Sequence, residues 1–118
     1  MSAALAASFA AAQQGQNEKI NLGVLYAGVE KESCTPEFMD FLKQHFTKVG
    51  FAPYSMFTPE MADGYNVVIF DGPAHPTNLR IGLPPSPTIP QSYDRASILI
   101  SGGGERIAEE LKLKIDWL

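Results

Sequence analysis

The chain has 118 residues, one domain's worth, with 45% hydrophobic and 19% charged residues, an ordinary globular composition. Nine Lys and Arg against 13 Asp and Glu give a net charge of -4, which argues against nucleic acid as the main partner, since phosphate-binding surfaces carry a basic excess. The single cysteine, Cys34, excludes an internal disulfide. No stretch reaches the roughly 18 apolar residues that a membrane-spanning helix needs.

Residues 1–12, MSAALAASFAAA, carry no charge and are almost all small or apolar. Two readings fit. One is the apolar and small-residue part of a secretory signal without its basic start, which makes the protein secreted or periplasmic. The other is an Ala-rich helix capped by Ser2, which leaves it cytoplasmic. Residues 1–18 are therefore a lead, and residues 19–118 a single α/β domain.

INLGVLYAG, residues 20–28, is apolar apart from Asn21 and reads as a central strand covered on both faces. TPEFMDFLKQHFTKV follows a polar loop and reads as a helix. Thr35 is its N-cap, Pro36 its first residue, Glu37 lies in its first turn and Gly50 stops it. Phe38, Phe41, Leu42, His45, Phe46 and Val49 fall on one stripe of that helix, so His45 is expected to be a half-buried packing residue. FAPYSMF, residues 51–57, is a strand placed at the sheet edge by Pro53, which cannot donate to a ladder. TPEMADG is a short helix capped by Thr58 and closed by Gly64. YNVVIFDG, residues 65–72, is a second buried strand.

Residues 72–94 hold six prolines and no clear period, so they form either a lid over a site or an insert without order. ASILIS, residues 96–101, is a further buried strand, and GGGERIAEELK is a turn followed by a helix. LKLKIDWL alternates apolar with charged residues as a half-buried strand does. With Trp117, that strand could pair across a homodimer.

Strands separated by helices imply a parallel sheet with right-handed crossovers. The expected fold is an α/β three-layer sandwich with a mostly parallel, flavodoxin-like sheet. Residues 20–26 lie inside, the proline-bearing strand outside them, and the strands at 66–70 and 97–101 on the other side. Ligands in such sheets sit beyond the carboxyl ends of the strands.

Three loops converge there. Gly28 ends the first strand; Asp71, Gly72 and His75 follow the third; Ser101, Gly102, Gly103, Gly104 and Glu105 follow the fourth. Consecutive glycines bring backbone N–H groups close to a ligand. SGGGER nevertheless lacks the Lys-Ser/Thr of a P-loop and does not fit G-x-G-x-x-G, and Glu105 would repel a phosphate. A tight turn, an oxygen-rich small ligand and a nucleotide remain as readings. Asp71 beside His75 suits acid–base chemistry, or caps its own turn; one His and one Asp complete no metal site. Cys34, just before the first helix, is the one candidate thiolate. No cofactor is expected.

KINLGVLYAG, TPEFMDFLKQHF, GYNVVIFDGP and ILISGGG together resemble the first half of a class I glutamine amidotransferase-like domain, in the branch of ThuA-like proteins. The resemblance covers residues 19–118 and rests on element order and strand-end glycines. It implies a flavodoxin-like three-layer sandwich. Active members carry a Cys in the elbow after the strand and a later His with an acidic partner. Here Gly103 falls where that Cys would stand, and the chain stops before the region of the His. The expected function is therefore a non-catalytic or degenerate domain that binds a small molecule or a protein partner at the strand ends. The alternative is a hydrolase or carbohydrate-processing enzyme using Asp71 and His75, with Cys34 or Ser101 as nucleophile.

Overall fold

The structure, a computed structural model, describes residues 18–30, 35–72 and 87–114. Among the described residues four strands, β1 (Ile20–Gly28), β2 (Phe46–Pro53), β3 (Val67–Asp71) and β4 (Ser97–Ile100), form one sheet in the order β2-β1-β3-β4. Every neighbouring pair is parallel. Helix α1 (Thr35–His45) joins β1 to β2, and helix α2 (Ser101–Glu110) follows β4 without a break. This is the flavodoxin-like three-layer sandwich, with β1 and β3 inside and the proline-bearing β2 at one edge.

The layers follow from period-two alternation along the inner strands. Val24 and Tyr26 of β1 and Ile69 of β3 face one side, where they pack with Leu42, Phe38 and Met39 of α1. Leu25, Ala27, Val68 and Phe70 face the other side, where Ile107 of α2, Tyr54 and Phe57 complete the larger core. Phe57 meets the Phe70 ring edge-on at 4.8 Å, and Tyr93 closes the cluster at 6.1 Å from Phe70. Complete burial of a side chain such as Phe70 contributes roughly 1.5–3 kcal/mol relative to exposure.

Several boundaries differ from the sequence-based expectation. The first helix ends at His45 rather than at Gly50, and Phe46–Val49 begin β2. Lys48, Val49, Gly50 and Phe51 lie opposite Gly23, Val24, Leu25 and Tyr26, so pairing with the central strand takes these residues from the helix. Gly50 looked like a helix stop but has another role: a Cβ there would overlap the ring of Tyr65. The strand expected at 51–57 ends at Pro53, and Tyr54–Met56 form a 3-10 turn. A second 3-10 turn, Pro59–Ala62, stands where the short helix was expected. Thr58 makes no side-chain cap hydrogen bond there, and Gly64 leaves the turn with φ 84°. The Thr35 hydroxyl donates to the Val29 carbonyl at 2.7 Å, tying the start of α1 to the end of β1.

The alternating end of the chain is not a strand within the described residues. Leu111 and Lys112 form a turn, and Leu113 and Lys114 are irregular. The Lys112 N–H donates to the Glu109 carbonyl, and the Leu113 N–H to the Ala108 carbonyl, at 3.0 and 2.9 Å. With Lys112 at φ 54°, this is a Schellman motif that satisfies the last carbonyls of α2. Leu111, Lys112 and Leu113 of that pattern therefore close α2. Residues 115–118, Trp117 among them, lie outside the described residues, as do residues 1–17 and 73–86. What is described of the proline-rich segment packs back on the core, through buried Ile89 and half-buried Tyr93.

Candidate functional site

Parallel strands deliver their carboxyl ends to one edge, so Gly28, Asp71 and Ile100 stand side by side. Ala27 is opposite Phe70, and Asp71 is opposite Ile100. At this edge Asp71 lies on the α1 side of the sheet, in phase with Val67 and Ile69. Tyr26 reaches it along the same face, and its hydroxyl donates to Asp71 Oδ2. Gly28 makes this reach possible, because a Cβ on it would overlap the Tyr26 ring. From the other side, exposed Ser101 donates its hydroxyl to Asp71 Oδ1 at 2.8 Å, with the Gly72 carbonyl 3.1 Å away. One carboxylate thus accepts hydroxyls from two different strand ends.

Ser101 occupies the junction of β4 and α2 with φ 61°, in the left-handed region. An L residue there costs roughly 1–2 kcal/mol, which glycine avoids. The strained position of the strand-to-helix elbow is therefore Ser101, two residues before Gly103, where the resemblance had placed it.

The glycines that follow serve packing. A Cβ on Gly103 would overlap the N and Cα of Gly72, and a Cβ on Gly72 would overlap the Cα of Gly103. Backbone lies on backbone at this crossing. A Cβ on Gly104 would stand 2.6 Å from the Leu99 carbonyl carbon. Buried Tyr54 fastens the same crossing by donating its hydroxyl to the Gly103 carbonyl at 2.9 Å. Gly103 and Gly104 are buried, Gly102 is half-buried, and Glu105 is exposed one helical turn beyond Ser101. The glycines do not form a separate turn before the helix, as expected, but lie in the first turn of α2, and close packing accounts for Gly103 and Gly104. Two carboxylates, Asp71 and Glu105, disfavour an anion at this edge.

Cys34 and His75 lie outside the described residues. His45 is exposed at the end of α1, next to the amino end of β2, and packs on the Phe41 ring at 4.5 Å. It sits at the opposite end of the sheet from Asp71 and is not half-buried as expected. Among the described residues, no three of His, Cys, Asp and Glu converge as metal ligands. Tyr26 and Tyr54 were not singled out from the sequence. A tyrosine hydroxyl inside an apolar strand run must find a partner, and that requirement was the signal available.

No family model, no curated protein and no solved structure matches the chain.

Proposed function

We propose that the chain is a degenerate amidotransferase-like α/β domain that binds a small, neutral, hydroxyl-bearing molecule at the carboxyl edge of β1, β3 and β4. The observation that carries this reading is Asp71, a carboxylate at the switch point of the sheet, oriented by Tyr26 and Ser101. Strand order β2-β1-β3-β4 supports it, since the crevice of such a sheet opens between β1 and β3. A carboxylate accepts hydrogen bonds and donates none, so it selects ligand hydroxyl or amine groups. With Glu105 nearby, phosphates and carboxylates are the wrong class.

Thermal shift against a panel of neutral sugars and polyols, with small anions as controls, tests the reading. A neutral ligand at about 100 times its Kd adds roughly 2.7 kcal/mol of stability, and the anions add none. Asp71→Asn is expected to abolish the shift. A panel in which only anions stabilise, or in which Asp71→Asn responds like the unmodified chain, contradicts it. A hydrolase is the second reading, and the observation that favours it is the backbone of Ser101.

A further inference from the structure

We infer that Ser101 is an acyl-accepting nucleophile with Asp71 as its base, and that Ile98 and Ile100 seat the acyl chain of a small aliphatic ester. The inference rests on the hydrolase reading of this strand edge, under which the domain is catalytic rather than degenerate. Three further observations carry it.

The first is where the chain places its strain. Gly102, Gly103 and Gly104 follow immediately, so the residue type that enters the left-handed region freely is at hand, yet the left-handed residue is Ser101. A serine held this way at the end of a parallel strand presents its hydroxyl above the sheet, which is what an elbow nucleophile requires. The second is the order of the hydrogen bonds. An activated nucleophile has a base in reach and a third group orienting the base. Asp71 Oδ1 is 2.8 Å from Ser101 Oγ, and the Tyr26 hydroxyl holds Oδ2.

The third is apolar surface beside the hydroxyl. Ile100 is the register partner of Asp71, and Ile98 that of Ile69, so both lie on the sheet face that carries Asp71. Ile98 is 49% and Ile100 36% exposed, although the neighbouring Ile69 is buried beneath α1. This strip starts one residue from Ser101, and a short aliphatic chain bonded to Oγ through a carbonyl would lie along it.

The reaction consumes one ester and one water. Ser101 Oγ attacks the carbonyl carbon as its proton passes to Asp71, and the carbonyl π electrons move onto oxygen. The oxyanion collapses, the bond to the alkoxy oxygen breaks, and the departing alcohol takes the proton from Asp71. Water then attacks the acyl-serine, giving its proton to Asp71, which returns it to Ser101 as the acid leaves.

The experiment uses the full chain with an alkyl fluorophosphonate, followed by peptide mapping, and with p-nitrophenyl acetate and butyrate. One phosphonyl group is expected on Ser101, and the mapping on the unmodified chain needs no variant. Ser101→Ala, checked by its thermal melt, loses the adduct and the release of nitrophenolate. Asp71→Asn slows labelling by 100-fold or more, in the range of general-base catalysis, about 10²–10⁴-fold. Ile100→Ser lowers the butyrate-to-acetate rate ratio about ten-fold, the scale on which an apolar pocket reads methylenes. No adduct on a folded chain, an adduct confined to other residues, or equal labelling of Asp71→Asn overturns the inference. Polyol binding that depends on Asp71 without any adduct overturns the nucleophile alone; an adduct without polyol binding overturns the neutral-ligand reading alone.

Discussion

At the scale of single residues, the contact between Gly72 and Gly103 sets a steric limit. A methyl group at either position meets backbone rather than the end of a flexible side chain. Gly103→Ala is expected to destabilise the protein by roughly 3 kcal/mol, the upper end for overpacking, as read by chemical denaturation. Tyr54→Phe leaves the buried Gly103 carbonyl without its hydroxyl donor and is expected to cost roughly 1–3 kcal/mol. Tyr93 adds a pH dependence. Burial raises its pKa above 10.0, and this outweighs the Ser97 hydrogen bond that lowers it. The unfolded chain therefore loses the Tyr93 proton first as pH rises. The stabilisation is complete below the unfolded value, about 10, and is lost as pH climbs through the folded one. Denaturation at pH 9 and pH 11 should show a steeper loss of stability in the unmodified protein than in Tyr93→Phe. The place of Asp71 at the end of β3 was legible in the sequence, because it closes an unbroken apolar strand run. Ser101 was also named from the sequence as a strand-end candidate, but its left-handed backbone was not legible, because a backbone angle leaves no mark on composition, and the adjacent glycines drew the elbow assignment to Gly103. Tyr26 was hidden among core residues, since only the tertiary path of its ring over Gly28 brings it to Asp71.

At the scale of elements, the strands were legible and the helix ends were not. VVIF and SILI carry β-branched and apolar residues in short runs, and both are strands. HFTKVG carries a helical stripe into residues that pair with β1, and the ladder prevails because it joins a central strand buried on both faces. Local spacing cannot show which partner a segment will meet. Helix α2 ends through Lys112 at φ 54°, a position that glycine occupies without strain. Lys112→Gly is therefore expected to raise stability by about 0.5–1 kcal/mol, measurable as a shift in the denaturation midpoint with unchanged slope. An unchanged or lowered midpoint would contradict this account of the helix end.

At the scale of the whole molecule, strand order was the most legible feature. Pro53 marks an edge strand, and unbroken apolar runs mark inner ones, which leaves few arrangements for a parallel sheet. The two cores differ in weight, and mutation can show it. Phe70→Ala empties the centre of the larger core and is expected to cost roughly 3–5 kcal/mol. Phe41→Ala, at a side chain 50% exposed on α1, should cost far less, under about 1 kcal/mol. This architecture brings the ends of β1, β3 and β4 together, so that Tyr26 and Ser101, far apart in sequence, share the Asp71 carboxylate. The most direct test of that claim is amide mapping by NMR during titration with a neutral polyol that stabilises the protein. The account predicts that the perturbed amides cluster at Gly28, Gly72, Ser101 and Gly102, and that Asp71→Asn abolishes the response. Perturbations gathered at the amino ends of the strands, around His45 and Phe46, would contradict it.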